Sequence, residues 1–286
     1  MASGSWLLWI LASSVGLSMY DLCKKASIKG NAVFPTLFAT TSGGWGALTV
    51  YLFFAGRLSE AVSVSAVDVF LLLAKSLIVG SSWTATYMAL RTLPITSAAP
   101  IRATGPFWTV LGAMTIFGEI PKLVQGVGMA LVLAGCVFFS VSSHRDKSSG
   151  GIKAVAFAFA GTLLGSCSAL YDKHLLQGIG LAPLAVLWWF LGGMTFLYAV
   201  AASFNRGGFK WRWTMPLTGI LLVLTDACYF TAVALPGAQI SVLSLVRRSS
   251  IVITFFVGGA LFRERDIKRK AFALVAVLAG VVLLCL

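Results

Sequence analysis

The chain has 286 residues, 58% of them hydrophobic and 11% charged. A soluble domain carries about 25% charged residues, so most of this chain is built for lipid. Its net charge of +13 does not mark a nucleic-acid binder: the Lys and Arg residues gather in short gaps between apolar runs, as membrane anchors do, and no basic stripe with interleaved aromatics lies elsewhere.

A membrane-spanning helix needs about 20 mostly apolar residues, and ten such runs follow one another along the chain. The first covers about 5–23; it lacks the basic start and small-residue cleavage site of a secretory signal, so it reads as a membrane helix. After "KKASIKGN" come runs at 33–55 and 67–90, the latter carrying Lys75, Trp83, Thr84 and Tyr87. The fourth, 95–117, holds Arg102 followed by Gly105-Pro106. A proline there loosens backbone hydrogen bonding beside the arginine, which is tolerated at membrane depth where it faces a cavity. The fifth, 123–142, is separated by "HRDKSSGG" from the sixth, 152–173. Gly161 and Gly165 in the sixth have the spacing that lets helices approach closely. Its end, Tyr171-Asp172-Lys173-His174, reads as an interfacial charge cluster. The seventh covers 182–204, and "NRGGFKWRW" places Trp211 and Trp213 like an interfacial anchor. The eighth, 215–235, contains Asp226 and Tyr229; the ninth, 239–262, contains Ser244, Arg247 and Arg248; the tenth, 269–286, follows "RERDIKRK". No gap is long enough for a soluble domain, and short links make neighbouring helices antiparallel, so the chain is one helical bundle.

The chain repeats itself. "SMYDLCKKAS" in the first run matches "ALYDKHLL" in the sixth, and "YMALRTLP" ending the third matches "YFTAVALP" ending the eighth. Beyond a three-residue insertion one constant offset pairs Arg102 with Arg247, Phe117 with Phe262, Glu119 with Glu264 and Gly135 with Gly280. Each half, 1–145 and 146–286, then holds five helices. Five is odd, so the second half enters the membrane from the opposite side. Two inverted repeats with a site between them near the midplane is an architecture of secondary transporters. The expected fold class is therefore all-α integral membrane, ten helices in two inverted five-helix repeats.

With "ALRTLPITSAAPI", the helix-end glutamates Glu119 and Glu264, and the glycine-containing fifth and tenth runs, the whole chain resembles the drug/metabolite transporter superfamily with two EamA-type repeats. Within it, "SVLSLVRRSSIVI" is similar to the basic pair in the ninth helix of plastid sugar-phosphate translocators, and Arg102 holds the position of their fourth-helix basic residue. The resemblance implies that this trio grips an anion. The family pattern is Lys with Lys-Arg and this chain has Arg with Arg-Arg, so phosphate and carboxylate both fit. "ALYDK" and "VRRSS" are also similar to bacterial members, which implies a bacterial inner membrane.

The charges support an anion site without the family. Arg102 lies about seven residues into its run and Arg247 about eight, roughly 10–12 Å deep at 1.5 Å per residue, in a hydrocarbon core about 30 Å thick. They enter from opposite faces and approach the midplane, where a lone charge costs about 2.5–3.5 kcal/mol on insertion scales. Lys75 has comparable depth. With Arg248, these cations face one central acid, Asp226, and leave a positive surplus for an anionic guest. Arginine's planar fork suits carboxylate and phosphate oxygens. Arg247 and Arg248 lie about 100° apart round the helix, so only one of them points at a given spot. Tyr87, Tyr229, Trp83, Thr84 and Ser244 lie on neighbouring turns and could line the pocket. Lys24, Lys25, Arg91, Lys153 and Arg263 sit near run ends and are expected to snorkel.

Cys23, Cys136, Cys167, Cys228 and Cys285 lie in or at the ends of apolar runs with no metal-ligand spacing, and no nucleophile–base pair, phosphate loop or HExxH appears. The chain is expected to be no enzyme, without cofactor or metal, acting as a monomer or weak dimer in the lipid bilayer. Of the 22 Lys and Arg residues, 15 fall in gaps or at run ends on one side and three on the other, while Lys75, Arg102, Arg247 and Arg248 lie deep in runs. The positive-inside rule puts the richer side in the cytoplasm and both termini outside, whereas the resemblance implies cytoplasmic termini. The reading is a secondary transporter of a small organic anion, with an exporter of neutral or zwitterionic metabolites such as amino acids as the alternative; in the latter Asp226 would hold an ammonium and the arginines a carboxylate.

Overall fold

The computed structural model describes residues 5–117, 151–204, 207–235, 250–262 and 267–284, together with 123, 124, 126–128, 130, 131, 134, 243, 246 and 247. Among these residues there is no strand. The helices are α1 (Ser5–Ile28), α2 (Val33–Phe54), α3 (Leu58–Val62), α4 (Ala66–Thr92), α5 (Ile95–Ala103), α6 (Gly105–Phe117), α7 (Gly151–Lys173), α8 (Pro183–Ser203), α9 (Thr214–Ala234), α10 (Ser250–Leu261) and α11 (Ile267–Leu284). Among the described residues five spans are long and apolar enough to cross a membrane: Trp6–Ile28, Ala66–Thr92, Gly151–Ile179, Pro183–Ser203 and Thr214–Ala234. The architecture is that of an all-α, multi-pass membrane protein.

Its outer surface is apolar. Leu8, Phe54 and Phe70 are 72%, 83% and 74% exposed, which only a lipid solvent makes cheap. Polar side chains instead turn inward and bond backbone. Ser13 Oγ donates to Thr225 O across α1 and α9 at 2.8 Å, and Ser82 Oγ donates to Gly161 O across α4 and α7 at 2.7 Å. Glycines let these helices close up: a Cβ on Gly44 of α2 would stand 2.7 Å from Gly219 O of α9. Gly161 and Gly165 likewise face Ser82 of α4, as their spacing predicts.

Helix limits depart from the apolar runs at four informative places. The fourth run is two helices, broken at Thr104, where Phe107 N bonds Thr104 O at 3.0 Å; a proline at 106 has no N–H to give Arg102 O. α3 is a five-residue helix between the second and third runs that no apolar periodicity marks. α1 continues to Ile28, five residues past its apolar run, because Lys25 Nζ donates to Leu90 O and Leu93 O at 2.7 and 2.6 Å and so fastens the end of α1 to the end of α4. α7 continues as a π-helical turn, His174–Ile179, closed by Gly180 at φ 82°, a conformation that suits glycine. Ser65 and Asp68 cap the start of α4 reciprocally.

Candidate functional site

Six helices contribute to one central cavity of about 190 Å³. Its lining follows helical spacing: Leu17, Tyr20 and Lys24 on α1; Lys75, Val79, Ser82, Trp83, Thr86 and Tyr87 on α4; Gly161, Thr162, Gly165, Ser168, Ala169 and Asp172 on α7; Leu222, Asp226, Tyr229 and Phe230 on α9. Residues three, four, seven and eight apart share a helix face, so each helix gives the cavity one stripe. Arg102 of α5 and Phe190 of α8 complete it, with Arg247 from the helical turn that precedes α10.

The structure therefore brings together Arg102, Arg247, Lys75, Trp83, Tyr87, Asp226 and Tyr229, which the sequence reading singled out. Thr84 does not line the cavity; Ser82 and Thr86, on the stripe that includes Lys75, take its place. Arg248, Ser244, Glu119, Glu264 and Pro236 lie outside the described residues.

The electrostatics correct the sequence reading in one respect. The arginines do not face a single aspartate. Arg102 Nη1 donates to Asp21 Oδ2 at 2.7 Å, and Lys24 Nζ lies 2.8 Å from Asp21 Oδ1. Lys75 Nζ pairs with Asp172 Oδ1, and Arg247 Nη2 with Asp226 Oδ1. Three carboxylates thus divide among four cations. Asp21 is fully buried, Asp172 5% exposed and Lys24 3% exposed. Asp172 is accordingly no interfacial residue, and Lys24 does not snorkel, whereas Arg91 and Lys153 are exposed as expected. Removing one partner of a buried ion pair typically costs about 3–5 kcal/mol, so each pair fixes the helices that carry it: α1 to α5, α4 to α7, and the turn at 246–247 to α9.

Aromatic faces hold the same cations. Lys24 Nζ is 4.5 Å from the Tyr20 ring centre, and Lys75 Nζ is 5.0 and 5.1 Å from those of Phe190 and Phe230. The Arg247 guanidinium lies 4.0 Å over Tyr229. Such contacts contribute about 0.5–2 kcal/mol each, more when dry. Among the described residues the buried Arg247 Nε has no hydrogen-bond partner. The arrangement is a chamber with fixed cations and their own counter-ions. It has the makings of a binding site for a small polar guest.

Sequence reasoning missed Asp21, Lys24, Asp172 and Tyr20. Their signal was present: Tyr20-Asp21 and Tyr171-Asp172 are the matched dipeptides of the repeat.

No family model matches the chain, and no curated protein does. Among solved structures the chain is similar to one described only as "Crystal structure of protein", with a TM-score of 0.65, 16% identity, and 95% of each chain covered. That likeness shows the fold alone: this arrangement of helices, over nearly the whole chain, recurs in a protein of very different sequence.

Proposed function

We propose that the chain is a secondary transporter that moves a small organic anion by alternating access, and that it belongs to the drug/metabolite transporter superfamily. In this reading ten membrane helices form two inverted five-helix repeats, 1–145 and 146–286, and the protein sits in a bacterial inner membrane as a monomer or weak dimer. The reciprocal packing of helices supports the repeat. α1 packs along α9 and α7 along α4; α2 packs along α9 and α8 along α4. Under the sequence repeat α1 corresponds to α7, α2 to α8 and α4 to α9, so each contact is the mate of another.

The observation that carries the function is that Arg102 and Arg247, the symmetry mates of the repeat, line one central cavity together. A transporter with inverted repeats keeps its site at their junction and rocks one repeat against the other around it. The cations would orient the guest's carboxylate or phosphate, the aromatic walls would hold its carbon body, and the internal aspartates would keep the empty site folded between cycles. Flux tests this directly. Purified protein in liposomes preloaded with lactate, malonate or alanine should accumulate the labelled form of at least one anion by exchange. Uptake no faster than in protein-free liposomes for both acids would overturn the anion reading, and uptake of alanine alone would favour the zwitterion exporter.

A further inference from the structure

The charge already inside the cavity limits the charge of what can join it. Lys24, Lys75, Arg102 and Arg247 bring four positive charges, and Asp21, Asp172 and Asp226 bring three negative ones. Lys25, next in sequence, is not among the residues that line the cavity; its ammonium is bonded to the last carbonyls of α4. Among the described residues one net positive charge remains. Net charge in a place of low dielectric is expensive, and a paired set is far cheaper than an unpaired one.

Resting on the transporter reading, we infer that the cavity selects a guest with a single net negative charge, a small monocarboxylate or equivalent monoanion, over dianions and zwitterions. A monoanion brings the chamber to neutrality. A dianion overshoots to a net negative chamber, and a zwitterion leaves the positive charge unmet. The donors for it are on the wall. Arg247 gives Nη2 to Asp226 and Arg102 gives Nη1 to Asp21, and each guanidinium carries five N–H donors in all. The ring of Tyr229, 4.0 Å below, keeps the Arg247 guanidinium plane fixed. A guest carboxylate can therefore meet the guanidinium groups of Arg102 and Arg247, whose side chains are 17% and 20% exposed and line the same cavity. The volume of about 190 Å³ equals roughly six waters at about 30 Å³ each, a size for small acids.

The test is ligand-dependent thermal protection of the purified protein, at constant ionic strength, with lactate, malonate and alanine as probes of charge −1, −2 and 0. Lactate should bind about tenfold or more tightly than either of the others. Asp226→Asn raises the chamber by one positive charge, and malonate should then overtake lactate. Lys24→Gln lowers it by one, and alanine should then lead. The two variants lie on different helices and either alone decides the matter. Malonate or alanine leading in the parent, an unchanged order in the variants, or protection by none of the three beyond that of chloride would overturn the inference. Charge-ordered protection without flux in liposomes would instead overturn the transporter reading and leave the charge rule standing, whereas flux led by malonate would do the reverse.

Discussion

Replacing Lys75 with Met leaves a nearly buried Asp172 without its counter-ion. The two side chains are 2% and 6% exposed, so solvent screens little of the loss. Removing one partner of such a pair costs about 3–5 kcal/mol, while replacing both by apolar residues of similar volume is about neutral or stabilising by 1–4 kcal/mol. Lys75 also lies between the rings of Phe190 and Phe230, and the methionine side chain keeps that packing while giving up the charge. The predicted pattern is a double-mutant cycle that fails to close: Lys75→Met and Asp172→Leu each strongly destabilising, the combination close to the parent. The assay is thermal and denaturant stability of purified protein in one detergent, with folded recovery followed by gel filtration. Single variants within about 0.5 kcal/mol of the parent, the range of ordinary surface substitutions, would refute the claim that this pair ties α4 to α7. So would additive effects in the double variant.

Other outcomes follow from the same geometry. Gly219→Val should destabilise by about 1–3 kcal/mol or more, because a Cβ there would come within 3.0 Å of Gly44 Cα, and the same stability assay reads it. Ser65→Ala should cost about 1 kcal/mol by removing the cap of α4, seen as faster amide exchange at Val67–Val69 with the cavity unaffected. The loop charges, 15 Lys and Arg against three, predict that both termini face away from the cytoplasm; a reporter fused after Leu286 that is active only inside the cytoplasm would show that the charge count does not set this topology.

Five of the ten expected spans are seen among the described residues, because lipid demands long apolar runs, and the run at 67–90 differs from α4 by only one or two residues at each end. The fourth run was read as one helix with loosened hydrogen bonding at Gly105-Pro106, and the structure breaks it there into two. The aspartates were not legible, and the reason is geometric. Asp21 stands two residues from the end of the first apolar run and drew no site reading, and Asp172, one residue from the end of the sixth, looked interfacial. In the structure α1 runs on to Ile28 and α7 into the π-helical turn to Ile179, which carries each aspartate inward. Depth judged from where hydrophobicity stops underestimates depth wherever a helix outlasts its apolar run. Lys24 was misplaced by the same error. The positive surplus assigned to Arg102 and Arg247 shrank accordingly, from an unbalanced set to one net charge among the described residues. Side-chain pairing between distant helices, such as Lys75 with Asp172, has no signature in a single sequence. Nor does the short α3, whose five residues bury only Ala61.

The central claim is that this cavity carries the anion, and the pair formed by Arg247 and Asp226 tests it most directly. Arg247→Gln alone would strand Asp226, so the variant to make is Arg247→Gln with Asp226→Asn, which removes the pair as a unit and leaves both side chains able to hydrogen-bond. A charged hydrogen bond contributes about 1.5–3 kcal/mol, and its loss should weaken apparent affinity for lactate roughly 10- to 150-fold. The measurement is lactate exchange in liposomes reconstituted with equal amounts of folded parent and double variant. The account predicts exchange by the parent and its loss, at substrate levels near the parent's half-saturation, in the variant. Equal exchange by the two would contradict it and make Arg247 a structural residue.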